Sequence, residues 1–171
     1  DYVEYRDDIY VGYRYFETVA GAADKVCYPF GYGLSYTSFA FTDACWTAVD
    51  TDFTVQVKVT NTGDVAGRQV AQVYCEAPQG KLGKPHRVLV GFAKTGKLKP
   101  GESQHLTLHF TARDFASYDD LGKVQASAWL LEKGDYRFYL GDNVRDAAAF
   151  GEKWTLDDTL VVEQCTRKCA P

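Results

Sequence analysis

With 23 acidic residues in 171, the first chemistry to test is a carboxylate pair, since acid/base hydrolysis sets two carboxyl groups about 5 to 10 Å apart. The sequence offers Asp7 with Asp8, Asp119 with Asp120, and Asp157 with Asp158. Adjacent residues on a strand point to opposite faces, and in loops such carboxylates are mostly solvated, so no pair is assigned a catalytic role. His105 and His109 lie four apart. On a strand that spacing separates them by roughly 13 Å along one face, too far to share a metal unaided. His86 reads as a solvated loop residue. Cys165 and Cys169 would meet on a helical turn, but zinc needs two further ligands that no neighbouring motif supplies. No metal or cofactor is therefore expected. FGYGLS (residues 30–35) lacks the lysine of a phosphate-binding loop and reads as a turn whose glycines permit close backbone approach.

Aromatic side chains are the remaining candidates, because indole and phenol rings stack on the C–H faces of sugars. Trp46, Trp129 and Trp154 are the tryptophans. Each stands in an apolar or strand-like context, where core packing is the stronger expectation. Trp46 and Trp154 are kept as candidate sugar contacts. The 77–86 loop, APQGKLGKPH, is long and glycine-containing and reads as a mobile surface loop.

The elements that must position these groups divide the chain. Residues 1–35 hold seven tyrosines among Gly12, Gly21, Gly31, Gly33 and Pro29, so only short elements fit. From Tyr36 onward short runs alternate with period two. Phe53, Val55, Val57 and Val59 share one face of FTVQVKVT; Leu106, Leu108 and Phe110 share one face of HLTLHF. Tyr136, Phe138 and Leu140 repeat the pattern, and Ala71, Val73 and Cys75 alternate with Val70, Gln72 and Tyr74. KVQASAWLL (residues 123–131) reads as a further strand. The connectors NTGDVAG, KTGKLKPGES and EKGDY are rich in turn formers. About seven strands predict an all-β, immunoglobulin-like sandwich of two antiparallel sheets. Beyond Asp142, VRDAAAF could open a short helix and TLVVEQ could be a strand.

Hydrophobic residues make up 46% and charged residues 25%, which excludes a disordered or low-complexity chain. A net charge of −4 without a basic block excludes a nucleic-acid footprint. No apolar run approaches the roughly 18 to 20 residues of a membrane-crossing helix. Five cysteines cannot all pair within one chain, and idle thiols point to a reducing, cytoplasmic setting. Without methionine, the chain reads as a fragment of something longer.

Five stretches in order then carry a resemblance: YRDDIYVGYRYFE (5–17), YPFGYGLSYTSF (28–39), VKVTNTGDVAGRQVAQVY (57–74), LVGFAKTGKLKPGES (89–103) and KGDYRFYLG (133–141). Together they resemble the C-terminal part of glycoside hydrolase family 3, the β-glucosidase and β-xylosidase group. The resemblance implies a fibronectin type III-like sandwich at 36–146, preceded at 1–35 by the closing segment of an α/β sandwich domain. Residues 147–171 would be a tail or linker towards a further domain, as in members whose barrel follows the sandwich. The family's retaining mechanism uses an Asp nucleophile and a Glu acid/base on stretches without counterpart here, so no catalytic residue is carried over. The role implied is a non-catalytic accessory domain of a β-glycosidase whose partners are the other domains of its parent. A carbohydrate-binding module or an interaction domain is the alternative, and an uncovered face leaves dimerisation open.

Overall fold

The computed structural model describes residues 2–3, 8–166 and 168. Eleven strands follow one another among them: β1 (Phe39–Val49), β2 (Asp52–Asn61), β3 (Val70–Glu76), β4 (Val88–Lys94), β5 (Ser103–Thr111), β6 (Ser117–Asp119), β7 (Ala128–Leu131), β8 (Gly134–Gly141), β9 (Ala148–Ala149), β10 (Trp154–Leu156) and β11 (Leu160–Gln164). One sheet runs β1-β2-β5 and a second runs β10-β8-β3-β4, with β9 on β8. These two sheets face each other. A third, small sheet, β11-β7-β6, closes one end of the sandwich. All pairings are antiparallel.

The alternating runs meet in the core as their pattern predicts. Val55, Val57 and Val59 of β2 and Leu106 and Leu108 of β5 are buried against Ala71, Val73, Phe138 and Leu140 of the opposite sheet. Phe53 stacks on Phe110 with ring centroids 5.2 Å apart, and Phe115, Phe138 and Trp154 close around that pair. Nine consecutive residue pairs join β2 to β5 without a register shift, which keeps every apolar side chain of both strands on the core face.

Two local readings are corrected and a third is met. KVQASAWLL is a strand only from Ala128, because the buried Asp119 carboxylate draws the amides of Lys123, Val124 and Gln125 into a turn and Ser127 adopts φ 59°. VRDAAAF does not open a helix. Asn143 caps a tight turn by accepting from the amides of Arg145 and Asp146, and Ala148 and Ala149 then pair with β8. TLVVEQ does form a strand, β11. The segment read as a tail thus supplies three strands, with Trp154, Leu156, Leu160 and Val162 packed against the core.

Residues 8–35 form a strap over the outer face of the second sheet. It holds one helical turn, α1 (Tyr13–Phe16), and a 3-10 turn at Ala23–Lys25. Because the strap covers it, β3 is buried on both faces: Ala71, Val73 and Cys75 point into the core while Gln72 and Tyr74 lie under the strap.

Candidate functional site

Four ties fix the strap. The Leu89 amide donates to the Tyr13 hydroxyl at 2.9 Å and the His86 amide to Thr18 Oγ1 at 2.8 Å. The Val144 amide donates to the Phe30 carbonyl at 2.9 Å. Arg145 Nε donates to both Glu17 carboxylate oxygens at 2.9 and 3.1 Å, and its Nη2 donates to the Ala23 carbonyl. Tyr13 stacks on Phe30 at 4.3 Å and packs on the cluster of Tyr74, Val144 and Ala147. Tyr74 donates its hydroxyl proton to Gln72 Oε1, and the Gln72 amide nitrogen in turn donates to the Asp142 carbonyl. Burial, followed by the neighbouring Tyr13 and Asp142, pushes the Tyr74 phenol well above its ordinary range. That hydroxyl stays a proton donor at every physiological pH.

One face of the strap is spent on the sandwich and the other is open. Ile9, Val11, Tyr15, Val19, Tyr28 and Tyr32 are all exposed, and Leu34 and Tyr36 are 92% and 97% exposed. These are large apolar and aromatic side chains left facing solvent on the side of the strap turned away from the sandwich.

The 77–86 loop flanks the strap, and the expectation of mobility is overturned. Glu132, buried with Lys84, accepts from the Lys84 ammonium and from the amides of Lys81 and Leu82. Lys84 also donates to the Leu82 carbonyl. Burial alone would raise the Glu132 pKa, but the Lys84 hydrogen bond and the two amides hold it below the ordinary carboxylate range. Gly80 has no room for a side chain against Glu132, and a Cβ at Gly83 would lie 2.8 Å from the Tyr10 hydroxyl. An ion pair with its remaining hydrogen bonds satisfied makes this loop a rigid part of the face.

The other sequence candidates fall elsewhere. Trp46 packs on Phe53 and Phe138 and donates its indole N–H to the Glu152 carbonyl. Trp154 packs on Phe53, Phe115 and Tyr136. Both half-buried indoles contribute to the inter-sheet core and do not share an open sheet face. Trp129 lines a cleft of about 850 Å3 between the strap, the 77–86 loop and the third sheet, but the Arg113 guanidinium covers its ring at 3.5 Å. His105 and His109 lie on the wet face of β5, opposite Lys58 and Thr54. Asp7 and Cys169 lie outside the described residues, and Asp8 accepts from the Tyr10 amide. Asp119 is buried and not solvated as its loop position predicted. The burial that would raise its pKa is outweighed by the amide hydrogen bonds from Val124, Lys123 and Gln125, so its pKa is lowered. Among the described residues no three His, Cys, Asp or Glu side chains converge as a metal site would require.

Two facing antiparallel sheets of three and four principal strands define a fibronectin type III-like sandwich, and residues 69–144 match the fibronectin type III-like domain family. The chain is 50% identical to β-glucosidase A of Butyrivibrio fibrisolvens over all of its own length and 22% of that protein's. The crystal structure of a β-glucosidase from Paenibacillus barengoltzii superposes with a TM-score of 0.87 at 49% identity, covering 95% of this chain and 18% of that one. A GH3 β-glucosidase from Bifidobacterium adolescentis gives 0.74 at 36% identity, covering 87% and 21%. The chain is similar to one region of these β-glucosidases, carries the fibronectin type III-like domain within it, and spans about a fifth of the length of these relatives.

Proposed function

We propose that this chain is the accessory sandwich of a β-glucosidase that hydrolyses terminal β-glycosidic bonds with retention, and that its task is to buttress the catalytic domains of that enzyme. The observation that carries the reading is the strap: one face is locked to the sandwich by four ties, and the other presents tyrosines and aliphatic side chains to a partner. Among the described residues the two buried carboxylates, Asp119 and Glu132, are occupied by backbone amides and Lys84, which supports a structural role for both. The binding-module alternative looks to Trp46 and Trp154, which are half-buried and packed against the core, and this favours the accessory role. We propose a reducing, cytoplasmic compartment, in which Cys27 and Cys45 would persist as exposed thiols.

The test is kinetic. The 171-residue chain should turn over no aryl β-glucoside, while the full-length polypeptide does and loses thermal stability when residues 36–164 are removed. Turnover by the chain alone, abolished by replacing one of its own carboxylates, would overturn the assignment.

A further inference from the structure

Where the strap passes into β1, residues 31–39 and the start of β3 enclose a cleft of about 650 Å3. Its charged lining is Arg68, Lys94 and Asp142. Val70 pairs with Lys94, and the Thr95 amide donates to the Gln69 carbonyl, so the Arg68 and Lys94 ends of the two strands lie side by side. Asp142 is already committed: Oδ2 accepts from Gln69 Nε2 and Oδ1 from Asn143 Nδ2. Among the described residues neither Arg68 nor Lys94 has an ion-pair partner. The donors to Asp142 are neutral amides, so Asp142 offsets one of the two cations and the cleft keeps a net positive charge. Leu34 lines it and is 92% exposed; beside the lining residues Ser35 and Thr37 stands Tyr36, 97% exposed, and across from the lining residue Gln72 stands Phe92, 69% exposed.

We propose that this cleft receives a carboxylate-bearing apolar face of the polypeptide outside residues 1–171, the carboxylate meeting Arg68 and Lys94 and the apolar side chains covering Leu34, Tyr36 and Phe92. The inference rests on the accessory-domain reading and names the chemistry of its partner. The occupant follows from charge complementarity and from the roughly four-fifths of each relative that lies beyond the matched region. An exposed ion pair contributes little by itself, so apolar burial drives the seating and the carboxylate sets its register. Neutralising a cation should then be mild, whereas reversing it sets like charges against each other.

Chymotrypsin cleavage after Leu34 and Tyr36 reports whether the face is covered. In the full-length polypeptide cleavage there should be at least about tenfold slower than in the 171-residue chain, the protection that about 1.4 kcal/mol of seating provides. Arg68→Glu with Lys94→Glu should remove most of that protection, and Lys94→Gln should leave most of it. The 171-residue chain with the same double reversal should melt as the parent chain does. If the reversal unfolds it, salt replaces the variant: cleavage of the unmodified full-length polypeptide should rise with ionic strength. Equal cleavage of full-length polypeptide and chain would overturn both this inference and the docking reading. Protection that ignores both charge reversal and salt would overturn the carboxylate alone and leave the docking reading standing.

Discussion

Glu132 and Lys84 show what a buried charge does in this molecule. Each side chain is less than one-tenth exposed, and desolvating both ions offsets much of their attraction. Removing one partner is a different matter, since the other ion is left buried and uncompensated. Glu132→Gln should destabilise the chain by about 3 to 5 kcal/mol. Adding Lys84→Met to it should recover a large part of that loss, because the orphaned ammonium disappears with it. Urea unfolding of the two variants measures the difference, and equal losses would mean that the pair merely fills space. The same carboxylate, with Asp119, sets an acid limb. Both have folded pKa values below their unfolded ones, so their contribution is complete above the unfolded carboxylate range near pH 4 and is lost as pH falls through the lower folded values. The urea midpoint should fall steeply below about pH 4, and Asp119→Asn or Glu132→Gln should flatten that slope. A slope unchanged in both variants would place the acid sensitivity elsewhere.

Among the elements, the strap depends most on one backbone position. Gly31 has φ +89°, and a Cβ there would lie 2.6 Å from Gln72 Oε1 and 2.9 Å from the Asp142 carbonyl. Gly31→Ala should therefore cost about 1 to 3 kcal/mol through strain and overpacking. Its local signature is faster hydrogen exchange at the Val144 amide, which donates to the neighbouring Phe30 carbonyl; exchange at the Val57 amide in the core strand β2 should change only by the global loss. The strands β2, β5 and β8 were legible in the sequence because each has one dry face and one wetter one, and period two records that difference. β3 was legible as a strand but not as a strand buried on both sides, since what covers it lies some 60 residues away along the chain. The rigidity of the 77–86 loop was hidden for the same reason: its anchor is Glu132, about 50 residues later. Of the candidate site, the aromatic richness of residues 1–35 was visible, but which side of the strap is spent and which is open follows from tertiary ties that no local pattern carries.

At the scale of the whole molecule, the sandwich does not end at Asp146. Trp154 of β10 meets Phe53 at 5.0 Å and Tyr136 at 5.5 Å, and β11 pairs with β7, extending the small sheet that closes one end. Arg113 of the turn before β6 donates to Glu163 of β11 at 2.9 Å, tying the last strand to the body. A chain stopped after Asp146 would therefore lose more than a tail. It would bare Phe115, Tyr136 and Leu131, which are at most 6% exposed in the complete fold, and would leave the β8 edge that β9 and β10 cover unpaired. Uncovering large side chains of this type forfeits about 1.5 to 3 kcal/mol each, and a domain's whole margin is only about 5 to 15 kcal/mol. The expected outcome is that residues 8–146 retain far-UV strand signal but lose near-UV aromatic dichroism and bind a hydrophobic dye, as a loosely packed state does, while residues 8–166 unfold in one cooperative transition. If the shorter chain also unfolds cooperatively with its near-UV signal intact, β9 to β11 are an appendage, and the folding unit ends at the boundary that the family resemblance implied.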